Sequence, residues 1–222
     1  MKTKLHIPVL MILGGILLAA CGATGEQKMT SRLPRVEIQE YEGQDLSSVD
    51  DFRENSIKGP QTVSLEGYTL KVSGLVDNPL ALTYEQVLAR DSYSKVVTLH
   101  CVEGWDATIL WEGVLLDDLF KEAQVQDSAV IAIFHAADGY TSSLPVAYLR
   151  DKQILLAYKM NGEDVPRERG FPFVVVAEAK WGYKWVKWVT EIELSNDPDY
   201  KGYWESFGYS NNGDLDLPYF EP

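Results

Sequence analysis

Between Thr62 and Leu194 the hydrophobic period changes every few residues, with no βαβα rhythm. Apolar or β-branched runs recur at "KVVTLHCV" (Lys95 to Val102), "SAVIAIFHAA" (Ser128 to Ala137), "ILLAYKM", "FPFVVVAEA" and "KWVTEIEL" (Lys187 to Leu194), and each predicts a strand. "TVSLEGYTLKVSGLV" (Thr62 to Val76) alternates and predicts two more. Between them lie only short helical patterns. "LTYEQVLAR" has Thr83 as N-cap with Gln86 three residues on, which is a capping box. "LLDDLFKEAQ" has helical spacing, and "PVAYLRD" begins with a proline suited to a first helical turn. Such a mixture folds as one α+β domain with mixed, β-rich sheets and short helices. The aromatic, Gly-rich tail "DYKGYWESFGYSNNGDLDLP" has no long period and is expected to wrap over the domain in order.

The N-terminus follows other rules. Lys2 and Lys4 precede the apolar "IPVLMILGGILLAA", and "LAAC" ends at Cys21. The run is short for a membrane span and closes in small residues, as an export signal does. Small residues before a cysteine resemble a bacterial lipobox. That resemblance implies lipidation of Cys21 and an extracytoplasmic protein anchored to a bacterial membrane by its acyl chains. Residues 1–21 are read as this leader, 22–54 as a polar flexible tether, and 55–222 as the folded domain. Without Lys2 and Lys4 the chain keeps 18 basic against 33 acidic residues, a formal charge of −15. That surface repels phosphate backbones, so nucleic acid is excluded as a partner.

With Cys21 taken by lipid, Cys101 stands alone, and neither a disulfide nor a Cys-x-x-Cys exchange site can form. A lone cysteine serves as a small core hydrophobe, a nucleophile or a metal ligand. A nucleophile needs a base. His100 is adjacent, but neighbouring side chains on a strand face opposite ways, and His135 could reach the thiol only through the fold. One thiolate is too few for a structural zinc or iron–sulfur site. It suffices where a cofactor brings the remaining ligands.

The neighbours of Cys101 carry a resemblance. "CVEGWDATILWEGVLLDDLF" (Cys101 to Phe120) resembles the signature of the sulfite oxidase-type molybdopterin-binding family, in its bacterial, sulfoxide-reducing style. "WGYKWVKWVTEIEL" (Trp181 to Leu194) is similar to the family's pterin-phosphate segment, and "DPDYKGYWESFGYS" (Asp197 to Ser210) to its Asp-Tyr-Lys-Gly-aromatic segment. "RENSIKGPQ" resembles the start of the domain. The likeness runs over Asn55 to Ser210. It implies a molybdenum–molybdopterin cofactor and oxygen-atom transfer, with Cys101 as metal ligand. It also implies Asn55, Arg169, Lys184, Trp185, Val186 and Lys187 as cofactor contacts and Tyr140 as a substrate-pocket residue. Implied partners are a small or methionine-sulfoxide-like substrate and a membrane electron-transfer protein, for a monomer. Val174 stands where the family carries an arginine, with Arg167 and Arg169 as candidates to replace it. A cofactor-free binding lipoprotein on the same fold is the alternative, and a Cys-His hydrolase a third reading.

Overall fold

The structure, a computed structural model, describes residues 36–220. Its strands are β1 (Glu40–Tyr41), β2 (Gln44–Asp45), β3 (Leu70–Gly74), β4 (Leu80–Leu82), β5 (Tyr93–His100), β6 (Asp106–Leu115), β7 (Ile131–Ala136), β8 (Thr141–Pro145), β9 (Leu155–Met160), β10 (Glu163–Asp164), β11 (Val174–Val175) and β12 (Val189–Ser195). Three short helices join them: α1 (Tyr84–Leu88), α2 (Leu116–Ala123) and α3 (Val146–Asp151). One sheet has the order β10-β9-β6-β5, with β11 also paired to β9. The other has the order β4-β3-β12-β7-β8. All pairings are antiparallel except β12 with β3, so the α+β expectation of mixed sheets and short helices is met.

One continuous core joins both sheets. Ile109, Val114 and Leu155 from the first sheet pack in the same buried cluster as Val72, Phe134 and Ile192 from the second. Leu116, Leu119 and Phe120 of α2 complete it. The capping box of α1 forms as its sequence requires: Thr83 Oγ1 accepts from the Gln86 N–H at 3.3 Å, and Gln86 Oε1 accepts from the Thr83 N–H at 2.8 Å. At Gly113, β6 shifts register against β9, and a Cβ there would run into the Leu156 carbonyl. No other residue allows that approach.

Three segments differ from the sequence reading. Of the tether expected over 22–54, residues 36–54 are described, and they pack against the domain. β1 and β2 form a hairpin, the Ser47 N–H donates to the Thr108 carbonyl at 2.8 Å, and Val49 is buried. Docking by main-chain and side-chain hydrogen bonds, with Val49 and Phe52 packed on the core, leaves no hydrophobic period to read. Of the two strands expected in Thr62 to Val76, only β3 forms. The first half closes on itself, Ser64 Oγ accepting from the Glu66 N–H and Gly67 turning at φ +76°, and meets no neighbouring strand. In "FPFVVVAEA" only Val174 and Val175 pair, because Pro172 lacks an N–H and the chain then leaves the ladder. β6 and β8 are strands that the segment reading did not assign. The leader, Cys21 and residues up to 35 lie outside the described residues.

Candidate active site

The β5–β6 ladder ends at the pair His100 and Asp106, and residues 101–105 form the turn. Gly104 at φ +81° supplies the left-handed step, its N–H donating to the Cys101 carbonyl at 3.0 Å. The Cys101 N–H donates to the Trp105 carbonyl at 2.9 Å. Cys101 thus sits at the strand end on a turn held from both sides. A second turn, Gly182–Lys184, lies against it: a Cβ on Gly182 would come within 3.3 Å of the His100 carbonyl oxygen. The glycine of "WGYKW" therefore brings the 181–185 segment beside the cysteine turn.

Between these turns opens a cavity of about 370 Å³. That is the size class of small-molecule and cofactor sites. The Cys101 thiol, 5% exposed, lines it together with Asn55, Ser56, Trp105, Trp111 and Trp185. Asn55 Nδ2 donates to Cys101 Sγ at 3.5 Å. Burial pushes the thiol pKa up, and the Glu103 carboxylate adds to this; the Glu103 backbone, the Asn55 amide and Arg53 pull it back without cancelling the rise. Three cations, Arg53, Arg169 and Lys187, line the cavity against three acids, Glu103, Asp138 and Glu168. In a chain with 33 acids and 20 bases, the cavity is far less negative than the molecule around it.

Lys187 Nζ donates to Glu54 Oε1 at 3.2 Å and the Asn55 carbonyl at 3.3 Å, and lies 4.4 Å from the Trp188 ring centre. Burial lowers its pKa, against the upward pull of Glu54. Arg169 donates through Nε to the Val49 carbonyl and stacks on Phe52. The Ser56 hydroxyl is buried in this lining and has no partner among the described residues. A buried hydroxyl without a partner is costly unless a ligand atom meets it.

Most residues singled out from sequence converge here: Asn55, Cys101, Tyr140, Arg169, Trp185 and Lys187 all line the cavity. Tyr140 does so with its hydroxyl already donated to the Tyr183 carbonyl at 2.5 Å, and burial drives its pKa far up. Two do not converge. Val186 is fully buried away from the lining, its carbonyl accepting from the Val175 N–H. Lys184 is also fully buried and is bound to Glu205 Oε1 at 2.6 Å, not aimed into the cavity. The tail, through Glu205, supplies a carboxylate to this ammonium. Val174 lines the cavity, and Arg169 lines it too, while Arg167 donates instead to Thr62.

Sequence reasoning missed Phe52, Arg53, Ser56, Trp204 and Tyr209, all of which line the cavity. The first three lie in or beside the segment read as a tether, and only the fold carries them to the cysteine. The two described histidines are engaged elsewhere, His100 with Asp106 at 2.8 Å and His135 with Glu193 at 2.9 Å, and neither lines the cavity. Among the described residues no group of three His, Cys, Asp or Glu is placed to hold a metal. A metal here would need donors from a cofactor.

The oxidoreductase molybdopterin binding domain matches residues 57–204, two thirds of the sequence. The chain belongs to that family. Its members are molybdopterin-dependent oxidoreductases, and the sulfite oxidase-type fold and the cofactor class follow. The chain is 35% identical over 156 residues to the uncharacterized oxidoreductase YuiH of Bacillus subtilis, covering 70% of this chain and 78% of that one. It is 28% identical over 218 residues to a putative protein-methionine-sulfoxide reductase subunit, YedZ1, of Azospira oryzae, covering 90% and 83%. The crystal structure of the sulfane dehydrogenase SoxCD from Paracoccus pantotrophus superposes with a TM-score of 0.60 at 25% identity, over 63% of this chain and 41% of that one. The cavity suits the family's cofactor on its own chemistry. It combines one soft thiol, three cations for a phosphate, the orphan Ser56 hydroxyl for a polar pterin atom, and indole walls.

Proposed function

We propose that this protein is a lipid-anchored, extracytoplasmic, monomeric oxidoreductase that reduces a sulfoxide-like substrate, with Cys101 as the protein ligand to molybdenum. One observation carries the reading: the only thiol among the described residues opens into a cation-lined cavity. Molybdenum bound there would supply a two-electron centre able to exchange an oxygen atom with substrate. The chain's own residues do the rest. Asn55 orients the sulfur by donating to it. Lys187 and Arg169 offer charge to the cofactor phosphate, and Trp105, Trp111 and Trp185 keep water from the sulfur.

Sulfoxide reduction breaks one S–O bond. Two electrons and two protons are consumed, sulfur is reduced to the thioether, and the oxygen leaves as water. The electrons come from a membrane partner, as the relationship to a putative protein-methionine-sulfoxide reductase subunit supports. A chain of formal charge −13 disfavours an anionic substrate such as sulfite, which also supports a neutral one. Val174, in place of the family's arginine, favours the second reading, a cofactor-free binding protein. Arg169 beside it in the cavity offers the missing charge.

The test is metal and pterin analysis of protein purified from a molybdenum-replete bacterial host, with Cys101→Ser beside it. Stoichiometric molybdenum in the parent, lost in the variant, is the expected result. Molybdenum absent from the parent selects the binding protein, and equal metal in both removes Cys101 as the ligand.

A further inference from the structure

Lys184 and Glu205 are both 0% exposed, and their charged atoms lie 2.6 Å apart. Glu205 Oε1 also accepts from Ser142 Oγ at 2.5 Å, and Lys184 Nζ donates to the Asn211 carbonyl at 2.9 Å. Glu205 Oε2 has no partner among the described residues. A pair this deep is a weak source of stability, because the desolvation of both charges offsets their attraction. Its place in the fold suggests another use. It joins three chain segments: the strand β8 that carries Ser142, the 182–184 turn and the C-terminal wrap. Gly202 lets the wrap touch β8, since a side chain there would run into the Thr141 carbonyl.

The flanking residues of all three segments face the cavity. Tyr183 and Trp185 bracket Lys184, Trp204 precedes Glu205, Tyr209 follows it in the wrap, and Tyr140 precedes β8. Several of these rings also meet each other: Trp204 and Tyr209 at 5.3 Å, and Tyr183 and Tyr209 at 5.1 Å between centres. We propose that Lys184 and Glu205 are positioning residues, which set the aromatic wall of the cavity and so control access to Cys101 without touching cofactor or substrate. The inference rests on the cavity being the active site, and its test needs no cofactor.

Lys184→Met together with Glu205→Leu removes both charges at similar volume. The measurements are the melting temperature and the rate at which iodoacetamide alkylates Cys101 in cofactor-free protein, read by mass spectrometry of the peptide that contains it. The single Glu205→Leu chain keeps an uncompensated buried ammonium and should melt well below the parent. The double variant should return to within about 3 °C of the parent and still alkylate about tenfold faster, because the wall opens locally. A restored melting temperature with parental alkylation overturns the proposal, since a purely stabilising pair would recover both together. Should the double variant fail to fold, Ser142→Ala decides. Loss of that one bond should speed alkylation about threefold by loosening Glu205 from β8, and an unchanged rate overturns the proposal. Failure of the cofactor reading would show in the metal content and leave these rates untouched.

Discussion

The side-chain amide of Asn55 reaches across 46 residues of chain to donate to the thiol of Cys101. That contact joins the segment entering the domain to the β5–β6 turn, and it acts on the ionisation of the sulfur. Burial dominates and keeps the thiol protonated above the ordinary range, while the amide favours the thiolate. Cofactor-free protein should therefore show an alkylation profile whose inflection lies above about pH 8.5. Asn55→Leu should move the inflection further up. A profile that matches a free thiol, or that moves down in the variant, would contradict this account of the site.

Lys187 is the cation that the cofactor phosphate should rely on. Its pKa is lowered by burial, so the folded protein without cofactor disfavours the ammonium, and that penalty eases as pH rises through the lowered value. An anion alongside restores the charged form. Lys187→Met should reduce pterin retention after gel filtration by about tenfold, the loss of one charge-assisted hydrogen bond. Equal pterin in parent and variant would place the phosphate elsewhere.

Gly113 is where β6 and β9 approach too closely for any side chain. Gly113→Ala should lower unfolding stability by about 2–3 kcal/mol, measured in urea, as overpacking against backbone does. A change near zero would mean that the bulge relaxes freely.

Thr83 does not line the cavity, and it closes the first turn of α1. Thr83→Ala should lower stability by about 1 kcal/mol, the usual loss of an N-cap, and leave molybdenum content at the parental level. A loss of metal would show that α1 bears on the site.

If Cys21 carries the lipid, a Cys21→Ser chain made in a bacterial host should fractionate with soluble extracytoplasmic protein, and the parent with membranes. Equal membrane association of the two would remove the anchor.

Much of the fold was legible because it rests on local rules. The capping box at Thr83 and Gln86 forms as spelled, and the β-branched run before Cys101 is a strand, though buried only at Val97 and Leu99, whose last pair is His100 with Asp106. The opposite faces of His100 and Cys101 follow from strand geometry, and the imidazole duly pairs with Asp106 while the thiol faces the cavity. The segment before Asn55 was not legible. It docks through hydrogen bonds, such as Ser47 to Thr108, and through Val49 and Phe52, which together make no hydrophobic period.

By itself, then, the sequence determined the mixture of short strands and helices, the solitary thiol in its turn and the family to which those motifs belong. These depend on spacing along the chain. Only the tertiary structure decided that Lys187 faces the cavity while Lys184, three residues earlier, is sealed against Glu205. It alone carried Ser56 and Tyr209 to the same wall. The reason is physical: the direction of a side chain leaving a tight turn is set by what packs on either side. Here those neighbours arrive from the two ends of the domain.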